Sequence, residues 1–507
     1  MGYMGMYYNI LQYLEETEAK YRDKIAYADE SEEYSFTRLL DCAKRIGTMV
    51  AFKVGQHSPI VIYTEKKASC VAAFLGAVYA GCFYVPIDSQ MPLDRVKLIF
   101  ETLKPALIIY DDTTSKEVDD IDCSIDRVHI SEAVLTNIDQ KRLDSIRCES
   151  KSTDLLYVLF TSGSTGVPKG VTISHLAVID FMEWICERYR LDEAVRLCNQ
   201  APFYFDASVP DLFIPLKTGA TTFIPSKMRY TFPKKILQYI VENEINTLVW
   251  VPSALCNVVN CKAFEIIKPS TIRLVIFCGE VMPCKHLNEW IKNVPLAKYV
   301  NMYGPTEATY ACMYYDIERA FSDEEVLPLG KACENSAVLV INDEGNVAKE
   351  GEIGELCILG QCLSNGYYGA PERTKEVFVQ NPTNDKWMEI MYKTGDLAYR
   401  TEDVFYFSGR RDYQIKRLGH RIELGEIENA VISIEGVDSA CCLYNRDTSE
   451  IIVVYSGTNK TENIASYISK KLPGYMHPNK YQYLDKMPMN INGKIDRVKL
   501  NKLYAEG

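Results

Sequence analysis

Short apolar runs alternate with stretches of helical periodicity through the first 150 residues. Residues 59–63 (PIVIY) form a run too short for a helix and read as a buried strand. Residues 68–80 are small and apolar and predict a helix, stopped by Gly81. A strand is expected at 83–86, a helix at 95–103 and a strand at 106–110. Alternation of this kind predicts α/β layers with parallel pairing. It recurs from about 155 to 300, with further strands expected at 247–251 and 274–277.

From about 328 to 406 the texture changes to glycine-punctuated β segments such as 354–360 (GELCILG). In the last hundred residues, 423–434 reads as an amphipathic helix with Ile427, Ala430, Val431 and Ile434 on one face. Strands at 440–444 and 451–455 follow, then a helix at 464–472 ended by Pro473-Gly474. The expected fold class is therefore α/β and α+β. A large N-terminal domain (1–411) holds α/β layers and a β subdomain, and a small α+β domain (412–507) follows a hinge near Arg411-Asp412.

Composition narrows the function classes. The chain has 507 residues, 47% hydrophobic and 24% charged, which excludes disordered, collagen-like and disulfide-scaffold classes. The net charge is −12, with Lys and Arg dispersed, so no nucleic-acid partner is expected. No apolar run is long enough to span a bilayer, and no signal peptide is expected at the start. The 17 cysteines are irregularly spaced without a C-x-x-C pair, and there are only six histidines. Zinc ligation is not expected; reduced thiols in a cytoplasmic protein are.

The chemistry-bearing signal is TSGSTGVPKG, residues 161–170, after the apolar strand 155–160. Glycines let successive N–H groups point at one anion, hydroxyls add donors and Lys169 adds charge. Pro168 stands where a Walker A loop needs glycine, so this is a different phosphate loop. A flexible Gly/Ser turn is the alternative.

That string resembles the phosphate loop of the adenylate-forming superfamily. Blocks resembling the family's other motifs follow in its order: APFYFDASVPDLF, NMYGPTEATYA, GELCILG with NGYYG, YKTGDLAY, GRRDYQIKRLGHRIELGEIE and NINGKIDR. The resemblance implies that ATP is held by Thr161, Ser162, Gly163, Ser164, Thr165, Gly166 and Lys169, with Tyr303 and Gly304 at the base. It implies that Thr306 contacts the α-phosphate, that Glu307 is the Mg²⁺ ligand and that Asp396 and Arg410 lie at the ribose. Asp412 is implied as the hinge and Lys494 as the essential lysine. Taken alone, the same residues also allow plainer readings. Asp396 is a turn acid, Thr306 a helix cap with Glu307 in the first turn, Arg411 a solvated loop residue and Lys494 an exposed lysine beside an Asn-Gly hairpin turn.

Phe205-Asp206-Ala207-Ser208 resembles amino-acid-adenylating members, which implies that Asp206 pairs with the substrate's α-ammonium; a helix-capping role is the alternative. NQAPF before it and FCGEV (277–281) are similar to stand-alone D-alanine:D-alanyl-carrier-protein ligases, and Cys278 would lie beside the α-carbon. The same alignment implies pocket walls at Ala207, Pro210, Val249, Ile276, Met302, Tyr310 and Ala311. Met302 and Tyr310 differ from what a D-alanine pocket leads one to expect. Thirteen residues follow Lys494, so the phosphopantetheinylated carrier protein is expected to act in trans. The expected activity is ATP-dependent formation of an aminoacyl-AMP and transfer to that thiol, with D-alanine the leading substrate. The alternatives are a non-ribosomal-peptide-type enzyme for another amino acid, an acyl-CoA synthetase, and a non-catalytic nucleotide-binding protein.

Overall fold

The computed structural model describes residues 7–121, 124–163, 166–411, 413–446, 448–457, 464–489 and 495–505. The chain divides into two compact units. One comprises Met1–Ser89, Lys104–Leu159 and Val171–Arg411; the other comprises Gln90–Leu103, Phe160–Gly170 and Asp412–Gly507. Two segments that the sequence pattern assigns to the large domain are thus part of the smaller unit. One of them carries the helix Leu93–Leu103, which packs on the helix Ile464–Lys471.

The first unit holds a nine-stranded sheet ordered Lys331–Ala332, Met313–Asp316, Lys298–Tyr303, Leu274–Cys278, Thr247–Trp250, Arg196–Asn199, Thr221–Ile224, Ile25–Asp29, Glu33–Ser35. Its central pairs are parallel and the pairs at its two edges antiparallel. A six-stranded sheet runs Asp126–His129, Leu107–Tyr110, Pro59–Thr64, Phe83–Asp88, Leu155–Thr161, Lys169–Ser174. The strands expected at 59–63, 83–86, 106–110 and 155–160 are all among these. A separate antiparallel sheet of Ser336–Ile341, Gly354–Gly360, Phe378–Gln380, Ile390–Thr401 and Val404–Arg410 is the expected β subdomain.

Burial on both faces explains why the central strands read as unbroken apolar runs. In Leu274–Cys278, Leu274, Ile276 and Cys278 join one apolar cluster while Val275 and Phe277 join another. The first cluster draws on both sheets and on the helices Phe36–Lys53, Ala68–Tyr79, His175–Tyr189 and Val209–Thr218, which fill the space between the sheets. The second covers the opposite face of the nine-stranded sheet with the helices Pro233–Glu242, Pro252–Asn260 and Cys284–Asn293.

In the second unit the amphipathic helix spans Leu424–Ile432. Ile427 and Val431 are buried, and Ala430 and Ile434 pack half-buried on the same cluster. That cluster also takes in the sheet Val437–Asn445, Glu450–Gly457, Lys480–Tyr483. The described cysteines are free thiols, most of them buried as small hydrophobes. No described helix is long and apolar enough to cross a membrane.

One buried group of the first unit makes stability depend on pH. His175 opens its helix behind the Ser174 cap, and its Nδ1 accepts the Ile10 N–H at 3.2 Å. Burial, helped by Arg147, holds the imidazole down to about 3. The unfolded chain protonates His175 below about 6.5, so unfolding takes up a proton and stability falls by about 1.4 kcal/mol per pH unit below that value. Between about pH 7 and pH 5, chemical denaturation should show a loss of about 2 kcal/mol that is absent in His175→Gln, whose amide oxygen keeps the acceptor. Equal pH dependence in both proteins would show that His175 is not buried neutral.

Candidate active site

The sequence-predicted residues fall into three groups, each built by particular strands and turns. The first surrounds Tyr303, the last residue of the strand Lys298–Tyr303. Gly304 follows because nothing larger fits: a Cβ there would lie 2.4 Å from the Tyr310 carbonyl oxygen and 2.6 Å from Ala311 Cα. The Tyr303 hydroxyl donates to Asp396 Oδ2. Asp396 is paired across the antiparallel ladder with Arg410, whose Nη1 reaches Asp396 Oδ1 at 2.5 Å. Arg410 Nη2 also donates to the Thr394 carbonyl at 3.3 Å, and Thr394 Oγ1 accepts the Asp396 N–H at 3.0 Å. Burial, then the Asp396 charge, holds the Tyr303 phenol well above its ordinary range, so it stays a donor. A carboxylate offers about four acceptor sites, more than the Tyr303 hydroxyl and the Arg410 guanidinium contacts use.

The second feature of this group is the turn Thr306–Ala308. Its cap position is Pro305, so Thr306 is its first residue and not the cap that plain sequence reading allowed. Glu307 is fully buried; its Oε1 accepts the Tyr367 hydroxyl at 2.7 Å and its carbonyl accepts the Ser364 N–H at 2.8 Å. A hard oxygen donor fixed by a phenol suits Mg²⁺, which is commonly bound through one or two carboxylates together with substrate phosphates and waters.

The second group lines the nine-stranded sheet. Paired residues of adjacent strands point to the same face. Val249 pairs with Ile276 and Ile276 with Val300; one step further, Cys278 pairs with Met302. The sequence-predicted walls Val249, Ile276, Cys278 and Met302 therefore share one face at the carboxyl ends of parallel strands, where open α/β sheets take their ligands. Tyr310 and Ala311 belong to the same apolar cluster, with Ala207 packed against it. Cys278 Sγ lies 4.0 Å from the Tyr310 carbonyl. Asp206 is the first residue of the turn Asp206–Ser208, whose cap position is Phe205, and Pro210 is buried near the start of the helix that follows. Asp206 is half-buried. Burial, then Cys278, Asp211 and Asp206, raise the Tyr310 phenol well above its usual range, which places Asp206 within electrostatic reach of this wall.

The third group is the segment expected to form a phosphate loop, in the second unit. Thr161 is buried. Ser162 Oγ donates to the Arg421 carbonyl at 2.8 Å and accepts the Glu423 N–H at 3.2 Å. The Gly163 N–H donates to Glu426 Oε2 at 3.2 Å, and buried Lys169 Nζ lies 3.7 Å from Glu423 Oε1. Gly166, at φ +83°, donates its N–H to the Gly163 carbonyl at 2.9 Å. The loop's N–H and ammonium thus face carboxylates, the same complementarity a phosphate would use. Glu426 also pairs with Arg95, and burial still raises its pKa. Ser164, Thr165, Asp412 and Lys494 lie outside the described residues.

Sequence reasoning did not single out Tyr367, Thr394, Glu423 or Glu426. All four sit inside blocks it did quote, NGYYG, YKTGDLAY and GRRDYQIKRLGHRIELGEIE, yet Tyr367 meets Glu307 across 60 residues of sequence, a pairing no local spacing reveals. Arg411, read as a solvated loop residue, is exposed but pairs with Asp343 and Glu355.

Comparison with known proteins accords with this geometry. The model for the AMP-binding enzyme family matches residues 14–368, and that for the AMP-binding enzyme C-terminal domain matches residues 426–494. A D-alanine–D-alanyl carrier protein ligase of Bacillus cereus (strain B4264) is 31% identical over 509 residues, covering 97% of this chain and 98% of that protein. Tyrocidine synthase 1 of Brevibacillus parabrevis is 32% identical over 499 residues, covering 97% of this chain but 45% of that protein, so the chain spans under half of that relative. Among solved structures, the Vibrio cholerae adenylation domain AlmE in complex with glycyl-adenosine-5'-phosphate has a TM-score of 0.84 at 19% identity, covering 99% of each chain, and shows the same fold. The chain belongs to the AMP-binding enzyme family and is an AMP-forming, ATP-using ligase of the kind that adenylates amino acids.

Proposed function

We propose that this ligase activates a small amino acid, D-alanine first among candidates, and passes the aminoacyl group to the phosphopantetheine thiol of a separate carrier protein in the cytoplasm. The observation that carries the reading is Asp206, a half-buried acid within electrostatic reach of Tyr310, itself one of the walls. An amino acid brings an ammonium with which a carboxylate beside this wall can pair. A simple carboxylate substrate does not. The large side chains of Met302 and Tyr310 favour a short substrate side chain. They also support a second reading, a non-ribosomal-peptide-type enzyme for another amino acid.

In the first half-reaction the amino acid's carboxylate oxygen forms a bond to the α-phosphorus, and the bond to the bridging oxygen breaks so that pyrophosphate leaves with the electron pair. Tyr303 would pack on the base, Asp396 and Arg410 would hold the ribose, Thr306 would contact the α-phosphate, and residues 161–166 with Lys169 would meet the other phosphates. Glu307 would ligate Mg²⁺, which supplies charge neutralisation when bound. Lys494 would contact carboxylate and α-phosphate together, offsetting their repulsion. In the second half-reaction the thiol sulfur bonds to the acyl carbon, the bond to AMP breaks and the thiol proton is lost. The domain division at 411/412, with Asp412 as hinge, belongs to this proposal and would let different groups serve the two steps.

Asp206→Asn tests the substrate class. Truncating one partner of a desolvated charge pair costs about 2–5 kcal/mol, so the amino acid's KM in ATP–pyrophosphate exchange should rise at least about tenfold while the KM for ATP stays near normal. An unchanged amino-acid KM would make Asp206 structural. Lys494→Ala tests the catalytic lysine: exchange should fall by about 10²–10³ in kcat, with the melting temperature unchanged and transfer from pre-formed aminoacyl-AMP retained. Near-normal exchange would leave Lys494 without a catalytic role.

A further inference from the structure

The strand Arg196–Asn199 ends in a fully buried asparagine whose side-chain amide lies between two charged groups. Asn199 Nδ2 donates to Asp211 Oδ2 at 2.8 Å, and Asn199 Oδ1 accepts from Lys66 Nζ at 3.0 Å. The same ammonium reaches the backbone carbonyls of Asn199 at 3.4 Å and Gln200 at 3.5 Å. The Tyr230 hydroxyl donates to the Asn199 carbonyl at 2.9 Å, and the Thr222 hydroxyl to the Asp211 carbonyl at 2.7 Å. Charge fixes the amide's orientation, because only its oxygen can face an ammonium and only its NH₂ a carboxylate.

Geometry gives this bridge a definite place. The chain leaves the strand at Asn199, carries Asp206 at its turn, and returns to Asp211 in the helix Val209–Thr218. The Asn199–Asp211 bond ties the two ends of that segment together. Lys66, between the strand Pro59–Thr64 and the helix Ala68–Tyr79, pins the outgoing end from the other sheet. Asn199 also pairs with Val249, so it stands on the same sheet face as the row of pocket walls.

Keeping this bridge is costly. Burial pushes the Asp211 carboxyl up to about 7 against the Asn199 bond and the Lys66 charge. Burial pulls Lys66 down to about 8 against Asp211. Among the described residues, Asp211 Oδ1 has no hydrogen-bond partner. Buried charge pairs are poor stabilisers, often no better than packed apolar groups, so fold stability alone is a weak reason for this arrangement.

We propose that Lys66, Asn199 and Asp211 are positioning residues: their bridge closes the base of the 199–211 segment and so fixes the Asp206 carboxylate where the substrate's ammonium must meet it. This rests on the reading of Asp206 given above. None of the three residues need touch the substrate; they act through Asp206.

The test is a double-mutant cycle on the full chain, read by ATP–pyrophosphate exchange with an active amino acid and by thermal unfolding. Lys66→Met should raise the amino-acid KM by about tenfold while the KM for ATP and the kcat at saturation change by less than about threefold. Lys66→Arg should restore most of the loss. If Lys66→Met does not fold, Lys66→Gln, which drops the charge but keeps a donor for Asn199 Oδ1, is read instead, with a smaller rise in the amino-acid KM and the same non-additivity with Asp206→Asn expected. Because the effect runs through Asp206, Lys66→Met should add less than about twofold to Asp206→Asn. Additive effects, equal loss in both KM values and kcat, or no change would overturn the proposal. If Asp206→Asn alone leaves the amino-acid KM unchanged, the reading of Asp206 has failed and the proposal falls with it, distinguishably from additivity on a working Asp206.

Discussion

A carboxylate taken out of water must be given donors or positive charge, and much of this protein's candidate chemistry depends on how that is done. Asp396, Glu307, Asp211 and Glu426 are all buried. Asp396 receives a phenol and a guanidinium, Glu307 a phenol, Asp211 an amide backed by an ammonium, and Glu426 a guanidinium and a loop N–H. Removing a partner from such a group leaves a charge uncompensated and costs several kcal/mol, typically about 3–5. Arg410 and Asn199 stand 14 and 12 residues from the acids they meet, while Tyr303, Tyr367, Lys66, Arg95 and Gly163 come from 60 or more residues away, so these acids are fully partnered only once the tertiary structure has formed. That rigidity fits a reaction whose catalysis is mostly placement of charge around a displacement at phosphorus.

Strand register does for the apolar walls what charge pairing does for the acids. Val249, Ile276 and Val300 lie in one row, with Cys278 and Met302 in the next, because their strands are parallel and in fixed register. A slip of one residue would turn every one of these side chains to the opposite face, into the layer now filled by Val275, Phe277 and Trp250. Burial on both faces forbids that slip, so packing that stabilises the sheet also decides which side chains stand at the proposed pocket wall.

Much of this was legible in the sequence. Apolar runs such as 59–63 and 274–277 became the strands Pro59–Thr64 and Leu274–Cys278, since a strand buried on both faces has only apolar positions to offer. Gly304 and Gly166 were legible as motif positions, and the structure gives each a steric reason: backbone in the way of a Cβ at Gly304, a positive φ at Gly166. What the sequence hid were partnerships across distance. Nothing local in NGYYG says that Tyr367 holds Glu307, and nothing near Lys66 announces Asn199, 133 residues away. Nor does composition show that the segments Gln90–Leu103 and Phe160–Gly170 belong to the smaller unit, because packing decides that assignment.

On the reading of Asp206 given above, an ammonium-bearing carboxylic acid is the group activated. ATP–pyrophosphate exchange measured against D- and L-amino acids, and against the same acids lacking the amino group, tests it most directly. Exchange is expected with at least one small amino acid, D-alanine foremost, and little with its desamino counterpart. Equal exchange with the desamino acids, or none with any substrate, would contradict it.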